Sequence, residues 1–177
     1  MGPRVVVVGA YGAGKTTLAR SLGEATGLPV HHIDAARWEP GWVLRPREEW
    51  LRELDEVLAG DGWIVDGNFE ATLDRRLAAC DTAVFLDFHP LLSAWRVVRR
   101  RLSRAHRPDL PDGLVERVNL RLLRMLLDYP RTVRPELARL LDQHASHIEV
   151  IVVRSRAEAA KLVAQCKPTA NDSRFQR

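Results

Sequence analysis

From Gly9 to Thr16 the chain reads Gly-Ala-Tyr-Gly-Ala-Gly-Lys-Thr, a fit to the pattern G-x-x-x-x-G-K-[ST]. The chemistry of that spacing is anion binding. Glycines let successive backbone N–H groups turn inward on phosphate oxygens, and a helix that starts at the lysine adds the positive end of its dipole. Gly9, Gly12, Ala13 and Gly14 would form the cradle, and Lys15 would reach the β- and γ-phosphates of ATP or GTP. Thr16 would ligate Mg²⁺, with Thr17 at the α-phosphate. The alternative is a glycine-rich turn that merely joins a strand to a helix. Chance produces the pattern in fewer than about one chain in a hundred of this length. Lysine is also scarce here: of 27 basic residues, only Lys15, Lys161 and Lys167 are lysines. In a chain that otherwise writes arginine, a lysine inside a glycine loop stands out.

Three aspartates, Asp34, Asp66 and Asp87, fall where predicted strands end. In an open α/β sheet ligands bind at the carboxyl ends of strands. A carboxylate there binds a metal, a substrate hydroxyl or an arginine, or else it caps a turn. Arg96, Arg100 and Arg104 share one helical face at i, i+4 and i+8, and a nearby anion would relieve their repulsion. The turn-rich stretch that follows, with Arg107, reads as a short lid over about 99–113; a solvated basic face is the other reading. Trp38 and Trp42, in a Pro-Gly stretch after Asp34, either stack on a planar or sugar-like acceptor or close a small subdomain. Trp50, Trp63 and Trp95 read as core. His31 and His32 have no ligand partner by spacing and read as structural.

The elements that must position these groups alternate. Val5–Gly9 is a continuous β-branched run, the pattern of a buried parallel strand. Helix patterns follow over Lys15–Thr26, Arg47–Ala59, Leu73–Ala79, Leu91–Gln143 in two or three pieces, and Arg156–Gln165. Strand patterns lie at Val30–Asp34, GWIVDGN, TAVFLDF and IEVIVV. This order predicts an α/β chain with a mostly parallel five-stranded sheet covered on both faces. One domain over 1–167 is expected, with an acceptor segment at about 35–60 and a flexible tail at 168–177. No segment has the ~20 apolar residues of a membrane span, and the N-terminus lacks a signal-peptide pattern, so a cytoplasmic protein is expected. Cys80 and Cys166 suggest neither a disulfide framework nor a zinc site. The net charge of +4 suits an anionic ligand or nucleic acid. No helix-turn-helix or RNA-binding signature accompanies it. Leu114–Leu127 reads either as core or as a dimer face, which leaves the oligomeric state open.

The segments HHIDAARWEPGW, PREEW, WIVDGNF, DTAVFLDF and WRVVRRRLSR, in this order after the glycine loop, resemble the small P-loop proteins named DNA topology modulation proteins, relatives of adenylate and shikimate kinases. The resemblance runs from Val5 to about Leu162. It implies a three-layer nucleoside-monophosphate-kinase-like fold with strand order 2-3-1-4-5. VDGN resembles the DG that ends the third strand of adenylate kinases, which implies Asp66 near Mg²⁺ through water. HHID resembles the shikimate-type segment whose aspartate meets the acceptor hydroxyl, which implies that role for Asp34. Asn68–Phe69 stand where adenylate kinases have Pro-Arg, a departure that points away from AMP as acceptor. The loop at Arg154–Arg156 falls where such kinases seat the adenine. Two functions fit: a Mg²⁺- and ATP-dependent phosphotransferase acting on a small-molecule or nucleotide acceptor, with Arg100 and Arg104 closing over the transferred phosphate, or a nucleotide-dependent regulator with a nucleic-acid or protein partner.

Overall fold

The valine run forms β1 (Arg4–Gly9), with Val5 to Val8 completely buried. The computed structural model describes residues 1–39, 43–102 and 120–166, the side chains of 100–102 and 120–123 excepted. A strand apolar on both sides needs cover on both sides, and alternate valines divide the task. Val6 and Val8 enter one core with Trp50, Trp63 and Leu77, while Val5 and Val7 enter the other with Leu18, Leu22 and Leu162.

From the glycine loop the chain runs into α1 (Lys15–Thr26). That helix ends at Gly27, whose left-handed φ of 76° lets its N–H return 2.8 Å to the Gly23 carbonyl. β2 (Val30–His32) leads into a single helical turn, α2 (Ile33–Ala36), and then into a hairpin of β3 (Trp38–Glu39) and β4 (Val43–Leu44). After it come α3 (Arg47–Leu58), β5 (Trp63–Asp66), α4 (Glu70–Ala79), β6 (Thr82–Leu86) and α5 (Pro90–Leu102). The rest is α6 (Leu120–Asp128), α7 (Val133–His144), β7 (Glu149–Val153) and α8 (Arg156–Cys166).

β2, β5, β1, β6 and β7 form one parallel sheet in that order. Without the hairpin strands this is the expected 2-3-1-4-5. Residues of α3, α4 and α7 fill one core, and those of α1 and α8 fill the other, so the sheet is the middle of three layers. No described helix is long and apolar enough to cross a membrane.

Three expectations are corrected. The second strand stops at His32, because its pairing with β5 ends at His32 opposite Asp66; Asp34 therefore lies in α2 and not on a strand. The irregular tryptophan stretch contains the β3–β4 hairpin. Trp95 is not core: it is 53% exposed under the Arg99 guanidinium, while Ser93 and Val97, also in α5, are fully buried. The inward face of α5 is small because it packs on the glycine loop. The reading of Arg100 as an active-site cation lies outside the described residues, and so do those of Arg104, Arg107, Trp42 and the tail.

Candidate functional site

The loop after β1 is shaped by what it rests on. A Cβ on Gly12 would lie 2.6 Å from Val97 Cγ2 and 2.8 Å from the Ser93 carbonyl oxygen, so the loop backbone sits directly against α5. Ala13 N–H closes a turn on the Ala10 carbonyl at 3.1 Å, and Gly14 takes a left-handed φ of 98° just before α1 begins at Lys15. The Lys15 ammonium folds back, donating to the Gly9 carbonyl at 3.1 Å and to that of Ala10 at 3.2 Å. Thr17 is exposed on the first turn of α1.

Neighbouring strands bring the next groups together. Asp66 ends β5 beside β1, and its buried carboxylate accepts from the Thr16 hydroxyl at 3.0 Å through Oδ2. Its Oδ1 lies 2.5 Å from His32 Nδ1, across the His32–Asp66 register pair. His32, expected to be structural, thus belongs to the site. Its signal was its place at the strand end, directly beside Asp66 once the strand order is known. The donor set of a hydroxyl and a carboxylate suits Mg²⁺, a hard cation that takes its remaining oxygens from phosphates and water. Among the described residues no cluster of three His, Cys, Asp or Glu forms a closed cage.

The chain turns sharply after Asp66. Gly67 has φ 129°, and a Cβ there would meet Ile33 Cγ2 at 2.4 Å and Asp34 Cγ at 3.0 Å. The exposed Asp34 carboxylate therefore lies against the backbone that follows Asp66. Among the described residues it makes no hydrogen bond or ion pair.

Beneath this turn lies Arg76, fully buried, a residue the sequence reading missed inside an ordinary helical pattern. It donates to the carbonyls of Gly67 (2.7 Å), Phe69 (3.0 Å) and Thr72 (3.3 Å). Burial pulls its pKa down to about 10, while Asp34 and Asp66 pull it up, so it stays charged at neutral pH. Asn68, also missed, bonds both polar groups of the Gly9 backbone. The Phe69 ring carries the Arg37 guanidinium at 4.0 Å and meets Trp50 edge-on at 5.2 Å. Trp38 is half-buried in the hairpin that follows.

On the other side of the loop a cavity of about 580 Å³ is lined by Gly14, Thr17, Leu18, Arg96, Arg156 and Ala160 among others. Arg96 is set by a hydrogen bond of 3.0 Å to the Ala13 carbonyl and by the Phe88 ring 4.7 Å beneath its guanidinium. Burial lowers the pKa of Arg96, and the charge of Arg156 lowers it further. Two cations on one cavity wall favour an anion between them. Asp87 belongs elsewhere. It accepts two 2.7 Å bonds from Arg134, which hold its carboxyl below the usual range and tie the end of β6 to α7.

No protein-family model matches the sequence, and no curated protein matches it. Solved structures do. The chain is similar to an unliganded sugar kinase from Janibacter at 22% identity, with a TM-score of 0.52, over 93% of this chain and 92% of that one. It is similar to the shikimate kinase of Acinetobacter baumannii in complex with shikimate, at 20% identity and a TM-score of 0.57, over 93% and 90%. A gluconokinase from Sinorhizobium meliloti follows at 18% identity and a TM-score of 0.53, over 94% and 91%. The chain has the P-loop kinase fold. The expected likeness to shikimate-type kinases holds for the fold, and the narrower resemblance to DNA topology modulation proteins remains an expectation from the sequence.

Proposed function

We propose that the protein is an ATP-dependent phosphotransferase acting on a small hydroxyl-bearing acceptor. The observation that carries this reading is the position of Asp34: an exposed carboxylate without a described partner, packed against Gly67 and so one residue from Asp66. A nucleotide switch needs no such group, whereas phosphoryl transfer needs one to orient an incoming hydroxyl and accept its proton.

In this reading the loop from Gly9 to Thr17 holds the phosphates, and Lys15 exchanges its carbonyl partners for phosphate oxygens. Thr16 and Asp66, the latter through water, hold Mg²⁺, which when bound neutralises charge on the β- and γ-phosphates. Arg96 and Arg156 line the side that receives the rest of the nucleotide. Trp38, and by the sequence reading Trp42, would bind the acceptor. Arg100 and Arg104, read from the sequence as a basic face, would counter charge on the transferring group. That the fold's solved relatives include sugar, shikimate and gluconate kinases supports an acceptor with an alcohol.

The test is an ATP-consumption screen against nucleotides, nucleosides, sugars and aminoglycosides, with and without Mg²⁺. It is repeated with Lys15→Ala and Asp34→Asn once an acceptor is found. Lys15→Ala should lose nucleotide affinity and turnover together. Asp34→Asn should keep ATP affinity and lose transfer at least about a hundredfold, the usual share of a positioned base. If no acceptor is phosphorylated while slow ATP hydrolysis persists, or if Asp34→Asn transfers phosphate normally, the nucleotide-switch reading replaces this one.

A further inference from the structure

We propose that Asn68 is a positioning residue for the phosphate loop, its side chain standing in for a strand residue that β5 does not supply and so releasing Lys15 to bind phosphate. The proposal rests on the reading of the loop as a nucleotide site.

The argument starts from the ladder. β1 and β5 are parallel, and their last rung is Gly67 N–H to the Val7 carbonyl at 3.2 Å. Along a strand, alternate residues direct both their N–H and their C=O to the same neighbour. Val7 faces β5, so Gly9 does too. The next rung would join Gly9 N–H to the Gly67 carbonyl. That carbonyl is occupied by Arg76 Nη1 at 2.7 Å, and the backbone has already turned away at Gly67 with φ 129°. The buried Gly9 peptide groups would thus face the end of β5 with no strand opposite them.

The Asn68 carboxamide fills that place. Its Oδ1 accepts from Gly9 N–H at 3.0 Å, and its Nδ2 donates to the Gly9 carbonyl at 2.6 Å. An amide side chain presents the same donor and acceptor pair as a peptide, so one residue completes the rung. An ionised carboxylate of the same size offers acceptors only.

The Gly9 carbonyl has a second donor, the Lys15 ammonium at 3.1 Å. The Lys15 ammonium has three donors, two of them on the Gly9 and Ala10 carbonyls, so a phosphate oxygen competes with these carbonyls for it. With Asn68 in place the carbonyl keeps a partner when the ammonium departs. Without it, phosphate binding would strand a buried acceptor, a penalty equivalent to about a tenfold loss of affinity or more. Asn68 also sits between Asp66, on the metal side, and Phe69, on the acceptor side. The position of the loop at Gly9 is therefore set by the same turn that holds both.

The experiment compares wild type with Asn68→Ala and Asn68→Asp. Each is assayed for equilibrium binding of ATP, inorganic triphosphate and adenosine, with thermal unfolding as a control. Both variants should bind ATP and triphosphate about tenfold or more weakly, with adenosine affinity unchanged. Asn68→Asp should be the weaker of the two, because a carboxylate repels the Gly9 carbonyl and holds Lys15 back. The aspartate variant preserves volume and decides the question if the alanine variant fails to fold. Equal losses for ATP and adenosine, or a lower unfolding temperature with unchanged triphosphate affinity, would mean that Asn68 only supports the fold, and would overturn the proposal. If wild type binds neither ATP nor triphosphate, the nucleotide-site reading falls first and this proposal with it.

Discussion

Two glycines of the phosphate loop have the same motif logic but different surroundings, and alanine substitution should separate them. Gly12 and Gly14 both have left-handed φ, 79° and 98°. An alanine in that region costs about 1–2 kcal/mol at either site. Beyond this the positions diverge. A Cβ on Gly14 meets nothing within 4 Å. A Cβ on Gly12 meets Val97 Cγ2 at 2.6 Å and the Ser93 carbonyl oxygen at 2.8 Å, where ordinary contact begins at 3.4 Å. The second contact is backbone, so rotating a side chain does not relieve it. The loop and α5 must part by roughly 0.6 to 0.8 Å, against a helix face that is fully buried at Ser93 and Val97. Overpacking of this kind costs about 1–3 kcal/mol. Gly14→Ala should therefore destabilise by about 1–2 kcal/mol and Gly12→Ala by about 2–5 kcal/mol. Urea unfolding followed through the fluorescence of buried Trp50 and Trp63 measures both. With a slope near 2 kcal/mol per molar urea, the midpoints should differ by about 0.5–1.5 M. Equal midpoints, or a lower midpoint for Gly14→Ala, would refute the claim that the loop is shaped by its contact with α5.

Asp66→Asn should raise the Mg²⁺ concentration needed for nucleotide-dependent turnover about tenfold or more, because it removes the charge that faces Thr16 and His32; a metal titration identical to wild type would reduce Asp66 to a turn residue. Asp87→Asn should cost about 1 kcal/mol at pH 7, a modest value because Arg134 is partly exposed. Arg134 depresses the folded-state pKa of Asp87, so this stability is present above the unfolded value of about 3.9 and is lost as the pH falls through the lower, folded value. Wild-type and variant urea midpoints should thus differ at pH 7 and converge in acid, and a gap that widens on acidification would contradict the pairing.

The sheet was legible because its signals are local. Four valines on the central strand, Gly27 at the end of α1 and the alternation of elements need no knowledge of tertiary structure. The glycine loop was legible because its chemistry dictates its spacing. Asp66 was legible as a strand-end carboxylate; Asp34 was read the same way, but the strand stops at His32 and Asp34 lies in the helical turn that follows. What was hidden depends on which residues meet. His32 reads as an ordinary strand residue until β5 is known to lie beside β2. Arg76 sits in a helix among Asp74, Arg75 and Leu77, and nothing in that run distinguishes the buried arginine from the exposed one. Asn68 left a trace, since it stands where the adenylate kinases that the sequence resembles carry proline, but only the ladder shows what an amide does there. Trp95 misled for the opposite reason: its periodicity was right for a buried face, and the helix turned Ser93 and Val97 to the glycine loop instead.

The strand order also bears on how the chain is made. β1 precedes both of its neighbours in the chain: β5 and β6 lie more than fifty residues downstream, at Trp63–Asp66 and Thr82–Leu86. Until Leu86 has been synthesised, the central valines have no partner on one side or on either, and an unpaired apolar strand is a template for self-association. The glycine loop likewise precedes α5, the helix on which Gly12 rests, by some seventy residues or more. A ligand that needs the assembled loop therefore stabilises the chain only after α5 has been made.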